Sequence, residues 1–171
     1  MNTRCGRRLG PAGLVGALGL VATLSVAACS ESDPVEEGTA RDAAVVEQIV
    51  RELADESAEP EDLPVVYVVG ADGTISIEVQ AGVAAALVEE IDVRFADERI
   101  EAIDESVDER PVRGDGVLLV VQDIPVEGEA IDVPVDRYVT FDDGQRMVVS
   151  LEFVDPDWVV TSTVELEQPD A

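Results

Sequence analysis

Apolar and polar positions alternate most cleanly in the C-terminal third of the chain, where turn residues separate four extended segments. Val117 to Ile124 is nearly all apolar and predicts a central strand covered on both faces. Ile131, Val133, Val135, Arg137, Val139 and Phe141 form one face of the next strand, and Asp142-Asp143-Gly144 turns the chain. Met147, Val149, Leu151 and Phe153 line the third segment. Asp155-Pro156-Asp157 turns the chain again, and Trp158, Val160, Val164 and Leu166 are expected to face inward on the last strand.

Upstream, the period changes. Thr39 with Asp42 three residues on has the form of a capping box, and Val46, Ile49, Val50 and Leu53 recur at helical spacing. These predict a helix from Arg41 to Ser57, with Glu47 and Arg51 paired on its outer side. Val65 to Val69 is β-branched and aromatic, Gly70-Ala71-Asp72-Gly73 is a turn, and Ile75, Ile77 and Val79 alternate with other residues, which together predict a β-hairpin. A second helix is expected from Ala81 to Glu90, burying Val83, Leu87 and Val88. A short strand is expected at Asp92 to Phe95; over Asp97 to Asp108, Ile100, Ile103 and Val107 fit a short helix, and an edge strand with a turn is the alternative. The fold class is therefore α+β: an antiparallel meander with two or three helices packed on one face. By element order alone, a curved sheet of this kind resembles the cystatin-like and nuclear-transport-factor-2-like groups.

Charge divides the chain sharply. All 38 Asp and Glu lie beyond Cys29, against eight of the 11 Arg, so that part carries −30. Lys and His are absent altogether. Nucleic acid is excluded as a partner, because no Lys/Arg stripe exists to neutralise phosphates. Ahead of Cys29 stand Arg4, Arg7 and Arg8, then an uncharged run from Leu9 to Ser30 that ends Val26-Ala27-Ala28-Cys29. A positive end, an apolar middle and a small-residue cleavage site make an export signal.

The last four of these residues resemble the lipobox of bacterial lipoproteins, in which an aliphatic and two small residues precede a cysteine. The family pattern most often has Leu where Val26 stands. The resemblance implies that Cys29 carries diacylglycerol, with or without a further N-acyl chain, and becomes the new N-terminus. The chain would then be held at the extracytoplasmic side of the cell membrane, since two acyl chains give stable attachment where one is marginal. Two other readings use the same residues: a retained membrane anchor, which the uncharged run is about long enough to form, and ordinary secretion with Cys29 coincidental. On the lipoprotein reading residues 1–28 are the leader, 29–38 an acidic flexible tether and 39–168 one globular domain. Cys5 leaves with the leader, so no disulfide supports the mature domain.

Beyond Cys29 there is no His, Lys, Asn or second Cys. Nucleophilic triads and thiolate or imidazole metal sites are thereby removed. Carboxylate, hydroxyl, amide and guanidinium chemistry remain. Calcium is the cation such oxygens suit, and Asp142 with Asp143, Asp155 with Asp157, and Glu105/Asp108/Glu109 are the places to look. None has EF-hand spacing, and Asp and Gly are also the ordinary residues of tight turns. Arg137 falls on the apolar parity of its strand, where it would either pair with a buried carboxylate or present a charge in a pocket. No other cofactor is expected. The leading expectation is a non-enzymatic domain that binds a small ligand or an envelope protein. A carboxylate hydrolase or isomerase working in a cavity between sheet and helices, and a purely structural acidic envelope protein, are the alternatives.

Overall fold

A computed structural model describes residues 34–54, 63–73 and 75–167. In chain order the elements are α1 (Pro34–Leu53), β1 (Val65–Gly70), α2 (Ile77–Leu87), β2 (Asp92–Phe95), two 3-10 turns (Arg99–Ala102 and Arg113–Asp115), β3 (Val117–Val121), β4 (Ala130–Tyr138), β5 (Gly144–Val154) and β6 (Asp157–Glu165). The strands form one open sheet in the order β2-β1-β3-β4-β5-β6. The chain is thus α+β, with a six-stranded sheet and two helices on one of its faces.

The C-terminal meander is antiparallel, as its alternation predicts: β3 with β4, β4 with β5, and β5 with β6. β1 differs, because it lies between β2 and β3 and runs parallel to both. The hairpin expected over Val65 to Val79 is instead a strand, a turn and the start of α2. Val79, Val83 and Leu87 are the buried residues of that helix, four apart, while Ile77 is 74% exposed. Ser76 caps the helix by accepting from the Val79 N–H at 3.3 Å. The alternation of Ile75, Ile77 and Val79 therefore coincides with a helical period that begins at Val79. α2 also stops at Leu87, earlier than expected, so Val88 stands 66% exposed and Ile91 is buried in its place.

α1 begins at Pro34, seven residues before the expected start, and Pro in a first helical turn needs no intrahelical donor. Its Val45, Val46, Ile49, Val50 and Leu53 pack with the buried side of α2 onto one face of the sheet. Residues 55–62, the expected end of this helix, lie outside the described residues. The opposite face of β1 and β3 is covered by the segment between β2 and β3. Tyr67, Val69, Leu118 and Val120 meet Ala102, Ile103 and Val112 there. The expected helix within 97–108 is a single 3-10 turn on this second face. β3 is accordingly buried along its whole length. At its entry Gly116 is required, since a Cβ there would stand 2.5 Å from the carbonyl oxygen of Val65.

In β6 the inward set differs from the expectation. Trp158 and Val160 face the helices, but the register shifts between Ser150 and Leu151, leaving Thr161 as an extra residue. One inserted residue reverses the parity of the remainder of the strand. Thr163, not Val164, then faces α1 and donates its hydroxyl to Glu52 at 2.9 Å. Val164 pairs with Val148 on the other face and is 52% exposed, and Leu166 is 40% exposed. Phe141 also leaves its expected face: β4 ends at Tyr138 and Phe141 joins the second cluster, behind the sheet.

Candidate functional site

Cys29 and the residues Val26, Ala27 and Ala28 lie outside the described residues. Among the described residues, no helix is long and apolar enough to cross a membrane.

Arg137 occupies the helix-facing parity, as its strand position predicts, but its partners are a backbone carbonyl and a side-chain amide, where a buried carboxylate was expected. Nε donates to the Leu53 carbonyl at 3.3 Å and a terminal nitrogen reaches Gln145 Oε1 at 3.4 Å. A guanidinium thus sits at the last carbonyls of α1, where the helix dipole favours a positive charge. Asp142 and Asp143 lie in the β4–β5 turn, and Asp155 and Asp157 lie in or beside the β5–β6 turn, at the other end of β5. The Asp143 N–H bonds to Thr140 Oγ1 at 3.2 Å, an ordinary turn closure. Glu105, Asp108 and Glu109 are exposed on the segment before β3. Among the described residues no three acidic side chains converge to hold a metal ion.

Among the described residues, surface depressions lie at three places. The first, about 690 Å³, lies where β4 turns into β5 and is lined by Arg99, Asp136, Tyr138, Phe141, Asp142, Gly144, Arg146, Leu166 and Glu167. The Arg99 guanidinium lies 3.9 Å over the Tyr138 ring and 5.2 Å from that of Phe141. It donates to the Phe141 carbonyl at 2.9 Å, while its buried Nε has no hydrogen-bond partner. Arg110 lies 4.0 Å over Phe141, and Arg146 Nε bonds to Asp136 at 2.9 Å. Gly144 stands opposite Tyr138 in the ladder, and a Cβ there would meet the ring at 2.3 Å, so the glycine is what lets Tyr138 lie across β5. Scarce cations are thus gathered on aromatic faces and carbonyls that hold the crossover segment to the sheet.

The second depression is a pair of crevices at the carboxyl end of β1, one on each face, of about 210 and 400 Å³. Here the connection after β1 runs over the helix face while that after β2 runs over the other, an arrangement whose strand ends often take ligands. On the helix side, burial holds the Asp42 carboxyl above the usual carboxylate range, with Arg41 acting against the rise. The third, about 420 Å³, is mostly apolar: Ala40, Ala44, Phe153, Pro156 and Trp158 form it, with Arg41, Gly128 and Glu129 at its sides. Arg41 lies 5.1 Å over the Trp158 ring and donates to the Pro125 carbonyl at 2.6 Å.

Chemically these depressions can bind, through guanidinium, aromatic and carboxylate groups. Among the described residues no polar or charged side chain is fully buried. The stack of Arg99, Tyr138 and Phe141 and the crevices at β1 escaped the sequence reading, because their members come from distant segments with no shared spacing. Comparison with protein-family models, with curated proteins and with solved structures finds no match.

Proposed function

We propose that this chain is a lipoprotein, anchored through Cys29 at the extracytoplasmic side of the cell membrane, whose folded domain binds an envelope protein or ligand without catalysing a reaction. The lipobox-like end of the leader supports the anchor. One observation carries the binding reading: the domain closes its core with apolar side chains alone and leaves one face of β4, β5 and β6 open. The space between helices and sheet is filled by Val45, Val46, Ile49 and Val50 at 0–1% exposure, in place of an acid-lined cavity. The open face presents Val148 beside Val164, with Val154 and Val159 along the same half of the sheet.

Intact mass of the protein from a native membrane fraction, beside a Cys29→Ala variant, tests the address. The expected result is a lipid-sized increment on the parent that is absent from the variant. Equal, unmodified masses with both forms in the medium would remove the anchor from the proposal.

A further inference from the structure

We propose that the free edge of β6 takes an extended, cationic segment of a partner protein as a seventh strand. The proposal rests on the binding reading above and gives its partner a chemistry; it does not depend on the lipid.

Among the described residues the sheet has two open edges, and they are protected unequally. β2 is four residues long and carries an ion pair, Arg94 to Asp92 at 2.6 Å, with Arg94 also bonded to the Tyr67 hydroxyl at 3.0 Å. Short length and charge are the usual protection of a strand edge. β6 has nine residues and is uncharged from Trp158 to Val164, in a chain whose residues are 29% charged. It is rich in Val and Thr, the residues that pair best as strands.

The ladder fixes which backbone groups are offered. Leu166 N–H donates to the Arg146 carbonyl at 2.8 Å, so residues alternating from that pair point their N–H and C=O away from β5. Thr163 and Glu165 are two of these. The extra residue at Thr161 bends the strand, so an incoming segment is short.

Charge selects the occupant. Asp157 and Glu165 close the two ends of the edge, Glu52 reaches over it to Thr163, and Glu152 stands opposite Val159. A second copy would bring another −30 and be repelled, whereas a strand alternating apolar and basic residues could set its apolar side chains beside Val159 and Val164 and its cations among the acids.

The test titrates the mature protein with the peptide (Val-Lys)5, and with (Pro-Lys)5 and (Val-Glu)5 as controls, across a salt series. Two variants accompany it: Thr163→Pro, which removes an outward N–H where an edge strand tolerates proline, and Val164→Lys on the exposed face. Both are checked for an unchanged far-ultraviolet spectrum. The expected result is binding of (Val-Lys)5 that weakens as salt rises, falls at least about tenfold in both variants, and slows amide exchange at Thr163 and Glu165. Equal affinity for (Pro-Lys)5 would reduce the interaction to charge alone, and no loss in Val164→Lys would place it away from the β6 edge; either result would overturn strand addition. Self-association that strengthens with salt would assign the edge to a second copy and overturn the cationic partner. Each of these failures leaves the Cys29 mass result unaffected, so the two claims fall separately.

Discussion

The halves of the sheet are built to different standards of closure. β2, β1 and β3 run parallel around a strand that is buried from both sides, by the helices on one face and by the crossover segment on the other. β4, β5 and β6 run antiparallel, with the helices over one face, while the other carries exposed valines and polar residues. Parallel strands must be reached by crossovers, which cover them; hairpins need no such cover and leave a face free. In this molecule the connection rule separates the part that holds the fold from the part available for contact.

The widest gap between the halves is expected in the core. Leu118→Ala and Leu119→Ala each open a cavity on opposite faces of β3 and are expected to cost about 2–5 kcal/mol, read from urea midpoints. Val164→Ala, on the open face, is expected to stay within about 0.5 kcal/mol. Comparable losses at all three positions would erase the distinction.

Glycines sharpen it next. Gly116→Ala pushes a methyl into the backbone of β1 and is expected to cost about 1–3 kcal/mol. Gly144→Ala meets a Tyr138 side chain that can swing away, so its loss is expected to be smaller and to be accompanied by displacement of Tyr138, visible in its fluorescence or ring resonances. A larger loss at Gly144 than at Gly116 would contradict this ordering.

A smaller effect is expected where the open half touches a helix. Arg137→Leu removes the donor to the Leu53 carbonyl and is expected to lower stability by about 1 kcal/mol, measured by the same urea series. Arg137→Lys, which keeps a charge near the helix end, should recover part of the loss.

The smallest concerns Asp42. Burial is the largest influence on its carboxyl and favours the neutral acid in the folded state. Ionisation at neutral pH therefore opposes folding, and that opposition disappears as pH falls through the raised pKa. Asp42→Asn is expected to melt no lower than the parent at pH 7, with any difference closing in acid. A clear drop in Tm at pH 7 would mean that the contact with Arg41 outweighs the burial.

The open half was far more legible in the sequence than the closed one. Alternation places Ile131, Val133, Val135, Val149 and Leu151 on one face, and the structure buries all five. A hairpin meander makes each strand depend on its neighbour in sequence, so local pattern suffices. β3 also read correctly, because an unbroken apolar run implies two covered faces. The β1–α2–β2 unit did not, since Ile75 to Val79 fits both periods and only the cap at Ser76 and the parallel partner decide between them. Val164 and Leu166 were misplaced for a different reason. A bulge is a relation between two strands, and Thr161 carries no mark of it in its own segment.

Of the candidate residues, Arg137 was found by parity, but its carbonyl partner comes from a helix 84 positions away. The aspartates of the two turns were correctly placed at turns, and the length of β5 keeps the pairs apart. Arg99 carried no sequence signal, because its partners Tyr138 and Phe141 reach it only through the crossover segment.

Amide exchange in the free protein tests the division most directly. The amides of Leu118 and Leu119 are predicted to exchange only through global unfolding. Those of Thr163 and Glu165, turned away from β5, are predicted to exchange faster by orders of magnitude. Equal protection at β3 and at the β6 edge would contradict it, for that edge would then be covered in solution.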